Sequence, residues 1–318
     1  SNPSYTYVPD DNFEQALIDL GYDDTLDDFV LTENISGVTN LVVNDKEISD
    51  MTGIEHFIAL TELTCQDNQF TSLDLSNNTA LIALHCMNNQ LTALDVTANT
   101  ALTGLYIGGG SQSQISTLDL SNNTALISLN TQDILTLTSL DVSNNTALTD
   151  LGCWNNSLAT LNVNGASSLT YLHCNNNQLT NLDVSNNTAL TSLICYSNQL
   201  TSLDLSANTA LNTLVCHDNQ LTSLDVSANT ALGSFECTAN QITALDLSNN
   251  TELSWFKCGG NQLTTLDVSA NTALTILEFY GNQLTSIDLS NNTALTNLNC
   301  WSNSLTSLDV SSNTALTN

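Results

Sequence analysis

From about residue 38 onward the chain repeats itself roughly every 21 residues. "SLICYSNQLTSLDLSANTAL" (192–211) is followed at once by "TLVCHDNQLTSLDVSANTAL" (213–232). The shared frame reads L-x-x-L-x-C-x-x-N-Q-L-T-x-L-D-V-S-x-N-T-A. Units begin at Leu60, Leu81, Leu102, Leu126, Leu148, Leu169, Leu190, Leu211, Leu232, Leu253, Leu274 and Leu295. A related unit precedes them through Val38, Leu41, Val43, Ile48, Met51 and Ile54.

A unit this short cannot bury its own apolar face, so neighbouring units must stack and share a core. In an L-x-L or L-x-C segment alternate side chains point to opposite faces. The Leu and Cys of each first half therefore point inward, and so do Leu and Val, or Leu, of "LDV" and "LDL". Asn at the bends is placed to satisfy backbone groups that turns leave unpaired. At the usual strand spacing, thirteen coils form an arc about 60 Å long. The second half is too short for a long helix, which predicts short extended segments there.

The first half, L-x-x-L-x-C-x-x-N-x-L, resembles the leucine-rich repeat, with Cys where Leu often stands. The second half is a further copy of nearly the same pattern, and the whole is similar to the nested 21-residue class of bacterial leucine-rich repeats. The opening unit resembles the internalin type. The resemblance implies a β-rich solenoid, an arc with parallel strands on the concave face, short extended segments on the other face and a small helical N-terminal cap. Residues 1–37 are expected to form that cap and 38–318 a solenoid of about 13 repeats. "DDNFEQALIDLG" places Phe13, Ala16, Leu17 and Leu20 on one helical face, with acidic residues in the first turn and Gly21 as a stop. "VPDDNFEQALIDLGYDD" resembles the caps of secreted repeat proteins from Gram-negative gliding bacteria, which implies export and attachment at the cell surface. Residues 315–318 open another coil, so the natural chain is expected to continue.

Two basic residues, Lys46 and Lys257, face 32 acidic ones, a net charge of −30. Binding nucleic acid requires a basic surface to neutralise phosphates, and this chain has none to offer. Anionic membrane surfaces are disfavoured on the same ground, and no apolar run reaches membrane-spanning length. An uncharged or cationic partner is compatible with the charge.

The nine cysteines all occupy one repeat position: Cys65, Cys86, Cys153, Cys174, Cys195, Cys216, Cys237, Cys258 and Cys300. Ile107, Thr131 and Phe279 fill it in other coils, which marks a packing position. Buried free thiols are expected, not bridges or metal ligands; the spacing is not that of a zinc motif. The "LD" aspartates, from Asp74 to Asp309, are expected to stack outward in one row, with Asn162 as the exception. Neighbouring Thr, Ser and Asn donors are preferred over bound cations such as calcium to offset their repulsion. "YDDTLDDF" (22–29) lacks the EF-hand spacing and reads as a solvated acidic loop. Gly108-Gly109-Gly110 lacks a Walker pattern and reads as a tolerated insertion, "GGGSQSQ". No nucleophile–base constellation is assembled by the sequence, and no catalytic residue, metal or cofactor is expected.

What varies between units is the outward side of each first half. Every Trp and Tyr after the cap lies there. One expected patch comprises Trp154, Tyr171, His173, Asn175, Tyr196 and His217. A second comprises Glu236, Trp255, Lys257, Glu278, Tyr280 and Trp301. Exposed aromatics interleaved with polar groups suit a protein or glycan ligand. The expected function is extracellular recognition or adhesion through this face. A structural spacer for another domain is the alternative. An ice-binding solenoid is less favoured, because the outward pair of the second half is Ser-x-Asp and carries charge where a flat ice-binding face has T-x-T.

Overall fold

The computed structural model describes residues 3–110 and 112–317. Ser1, Asn2, Ser111 and Asn318 lie outside it, and with them the outermost residues of the expected cap and solenoid and one residue of the insertion. The chain falls into two compact units, Ser1–Leu161 and Asn162–Asn318.

The first unit opens with a strand, Tyr5–Tyr7, paired antiparallel with Phe29–Leu31. Between them runs a helix, Asp11–Asp19, and after them a short helix, Thr32–Ile35. Asp10 caps the first helix: its Oδ1 accepts the N–H groups of Asn12 and Phe13 at 3.0 Å each. Its Oδ2 accepts from Ser49 N at 2.8 Å, Ser49 Oγ at 2.7 Å and Asp50 N at 3.0 Å, fastening the helix to the first coil. Phe13, Ala16 and Leu17 are buried as their spacing requires. Leu20 is not: it is the C-cap residue and 44% exposed. A carboxylate, Glu14, goes inward on the same helix.

Six parallel strands follow in this unit: Asn40–Val42, Glu62–Thr64, Ala83–His85, Gly104–Tyr106, Ser128–Asn130 and Asp150–Gly152. The second unit contributes seven: Tyr171–His173, Ser192–Ile194, Thr213–Val215, Ser234–Glu236, Trp255–Lys257, Ile276–Glu278 and Asn297–Asn299. Each strand has three residues and pairs in exact repeat register, so equivalent side chains form columns. The central residue points into the core: Leu172, Leu193, Leu214, Phe235, Phe256 and Leu277 are all buried. The second halves carry turns over the S-x-N-T-A segments. Two of them also contain short strands, Ser139–Asp141 and Thr160–Asn162.

The cysteine column is interior. None of the nine cysteines forms a disulfide; eight are buried and Cys300 is partly exposed. Ile107, Thr131 and Phe279 are buried in the same slot. Burial pushes the thiols of Cys86, Cys153 and Cys195 up to about 12, so thiolate is scarce at neutral pH.

Two columns of asparagine tie coil to coil. In the first, the Nδ2 of Asn198 donates to Cys174 O at 3.0 Å and to Cys195 O at 3.1 Å, while its Oδ1 accepts Leu179 N at 3.0 Å. Asn219, Asn240, Asn261 and Asn282 repeat this pattern one coil at a time. In the second, Asn208 Nδ2 donates to Val184 O at 3.0 Å and Asn187 O at 2.9 Å. The turn after each cysteine is reached through a left-handed residue: Ser197 (φ 51°), Asp218 (φ 52°), Ala239 (φ 52°) and Gly260 (φ 62°). Asn, Asp and Gly tolerate that conformation, which explains their frequency at this position.

The aspartate row is capped by its own turns. The Oδ1 of Asp204 accepts Ser206 N at 2.9 Å, and Asp225 accepts Ser227 N at 2.9 Å. These side-chain and backbone hydrogen bonds hold both carboxyls below their ordinary 3.8. Repulsion from Asp246 and Asp204 acts on Asp225 in the opposite sense and is the smaller effect. The glycine run is a close approach of two coils: a Cβ on Gly108 would meet Gln132 O at 2.5 Å.

Three outcomes follow from this packing. Asn198→Ala strands two carbonyls and one N–H in a buried site, and urea unfolding should show a loss of roughly 3 kcal/mol or more; exposed Thr201→Ala should stay within about 0.5 kcal/mol. A thiol reagent applied to the native chain should modify Cys300 first and the other eight only on unfolding; rapid reaction of a second thiol contradicts the buried column. The aspartates have lowered folded pKa values, so their contribution to stability is present above the ordinary value of 3.8 and disappears as pH falls through the lowered ones. The melting temperature should therefore drop below about pH 4, and Asp204→Asn with Asp225→Asn should make that drop shallower.

Candidate functional site

The strand face opposite the core carries three outward columns, and every predicted site residue belongs to one of them. In register, Glu236 lies beside Lys257 and Lys257 beside Glu278, so the lysine stands between two carboxylates. Lys257 Nζ is 3.2 Å from Glu278 Oε1 and lies 5.0 Å from the centre of the Trp255 ring. The side chains of this ion pair are 24% and 18% exposed, so solvent screening is weakened and the ring, cation and carboxylate hold one another in place. Trp255 Nε1 is buried without a hydrogen-bond partner.

One column over, Tyr280 and Trp301 stack with centroids 5.1 Å apart and planes 2° from parallel. Tyr280 rests on Gly259, where a Cβ would come within 2.5 Å of its ring. The glycine is what lets the tyrosine lie flat. Trp301 is 62% exposed.

Further back in the second unit, Tyr196 stacks on His217 at 4.3 Å and 10°. Asp218 Oδ2 is 2.7 Å from His217 Nδ1 and fixes the imidazole against the tyrosine. Tyr171 and His173, from one strand, meet at 5.4 Å with planes tilted by 56°. Asn175 differs from expectation: at 6% exposure it offers almost no surface. Trp154 belongs to the first unit, where it lies against Gly152; a Cβ there would meet its ring at 2.5 Å.

Sequence reading missed one pair. His85 and Tyr106 stack at 4.4 Å and 8° in the first unit. They occupy register-matched positions on adjacent strands. A column-by-column alignment of the units carries that signal, whereas a search along the chain does not. The arrangement as a whole presents aromatic faces, a compensated ion pair and scattered donors on a rigid backbone.

No family model matches the chain. A stretch of 73 residues, 23% of the chain, is 38% identical to internalin J of Listeria monocytogenes serotype 4b (strain F2365), and it spans 8% of that protein. Among solved structures, the functional domain of InlJ from Listeria monocytogenes, described as including a cysteine ladder, aligns with a TM-score of 0.83 and 37% identity over 99% of this chain and 75% of that one. An internalin, InlF, from Listeria monocytogenes str. 4b F2365 aligns with a TM-score of 0.68 and 25% identity over 98% of this chain and 94% of that one. With its own column of buried cysteines and a match along nearly its whole length, the chain belongs to the internalin family of bacterial leucine-rich repeat proteins.

Proposed function

We propose that the chain is a recognition or adhesion module of an exported bacterial protein, binding a protein or glycan through the outward strand face, with residues 1–37 as its cap. The carrying observation is the contrast between two surfaces of one repeat. The second halves present Ser, Thr and Asp in nearly every coil, while the strand face gathers Trp255, Lys257, Glu278, Tyr280 and Trp301 in consecutive coils. Aromatic side chains bury much area with few rotors to freeze, which suits them to recognition. The internalin relationship supports binding over catalysis. At Lys257 one ammonium stands between two carboxylates, and the molecule as a whole carries −30, so a neutral or basic partner is favoured.

The test is a triple variant, Tyr196→Ala, Trp255→Ala and Tyr280→Ala, screened with the wild type against glycans and extracellular matrix proteins. The inward Leu and Cys columns are untouched, so the variant should fold. It should lose on the order of 2 kcal/mol of affinity, about 30-fold, for any partner the wild type binds. Thr201→Ala, Thr222→Ala and Thr264→Ala on the second halves form the control. Loss of binding in the control with retention in the folded aromatic variant puts the site on the other face. An exported spacer is the reading that remains if neither variant changes any interaction.

A further inference from the structure

The first turn of the helix Asp11–Asp19 and the loop 22–29 bring three carboxylates together. One oxygen each from Asp11, Glu14 and Asp28 lies within 4.8 Å of the other two. Like charges this close repel. Neither lysine relieves them: Lys46 pairs with Asp19 at 3.9 Å and Lys257 with Glu278. The helix N-terminus supplies only about half a positive charge.

Glu14 is the telling member. Its relative exposure is 0%. Oε1 accepts the N–H groups of Asp27 at 3.0 Å and Phe29 at 3.1 Å. Oε2 is buried and has no hydrogen-bond partner. A carboxylate that is buried, half satisfied and crowded by two others is costly unless a cation completes it. The loop is shaped to produce this crowding. Asp28 adopts a left-handed backbone (φ 68°) and its carbonyl accepts Val8 N at 2.9 Å, which fixes where its side chain begins. The aspartates of the solenoid row differ, because serine N–H groups already satisfy them.

We propose that Asp11, Glu14 and Asp28 form a calcium-binding site that clamps the loop 22–29 onto the helix. The donor set is all oxygen and strongly anionic, which suits a hard cation; zinc sites draw on Cys and His. Three carboxylates from a helix and an irregular loop fit the flexible shell of calcium better than the strict octahedron of magnesium, and water fills the remaining positions.

The experiment is a calcium titration of the whole chain, freed of metal with a chelator, at constant ionic strength and with magnesium in parallel. Calorimetric binding and the melting temperature are both read. Calcium should bind with a dissociation constant of about 10⁻⁴ to 10⁻³ M and raise the melting temperature more than magnesium does. Asp28→Asn, which keeps a residue tolerant of the left-handed backbone, and Asp11→Asn, on the exposed first turn, should each weaken calcium binding by at least about 10-fold. In chelator both should melt no lower than the wild type, since each removes a like charge. Asp204→Asn with Asp225→Asn should leave the calcium response intact. The proposal is overturned by a wild type indifferent to calcium beyond magnesium, by an undiminished response in both cap variants, or by a response lost only in the row variant.

Discussion

The side-chain amide of asparagine is the interaction on which the rest of the solenoid depends. A coil of three-residue strands and tight turns leaves many backbone groups without partners inside its own unit. Asn198 closes three such groups at once, two of them in the preceding coil and one in its own. The amide is suited to this because it donates and accepts from one rigid plane, whereas a carboxylate there would bring an uncompensated buried charge. Every other regularity sits on this joint. It fixes the coil-to-coil step, and the step stacks Leu, Phe and Cys into continuous interior columns.

Much of this was legible in the sequence because repetition supplies an internal comparison. Ile107 and Phe279 in the cysteine slot mark that slot as interior from the sequence alone, and the buried thiols agree. The aspartate row was legible as outward, and serine donors two residues on account for its tolerance. The failures have a common physical origin. Leu20 has the right helical spacing, but the helix has ended by then and its C-cap position points to solvent. Asn175 occupies an outward column, yet its surroundings leave it buried where the same position in the next coils is not. Glu14 and Asp28 are 14 positions apart in a segment that does not repeat, so no comparison between units could reveal that they meet. Periodic logic reads columns well and is blind to one-off contacts.

The outward columns also show how a rigid frame tolerates varied surfaces. Glycines at 152 and 259 are small so that Trp154 and Tyr280 can lie flat across them. Lys257 is accommodated by a glutamate on either side in register. Variation at one outward position is thus accompanied by a matching choice one coil or one residue away, while substitutions in the inward columns, such as Ile107 and Phe279 for Cys, stay buried.

That fixed step has a metrical consequence. The stacked pairs Tyr196–His217 and Tyr280–Trp301 occupy the same column within the second unit, and their leading tyrosines are separated by four strand intervals. At about 4.8 Å per interval the two lie roughly 19 Å apart along the ladder. The solenoid therefore acts as a graduated ruler: aromatic rungs can be placed only at whole multiples of one spacing, and a ligand that touches both pairs must itself carry matching features at that distance.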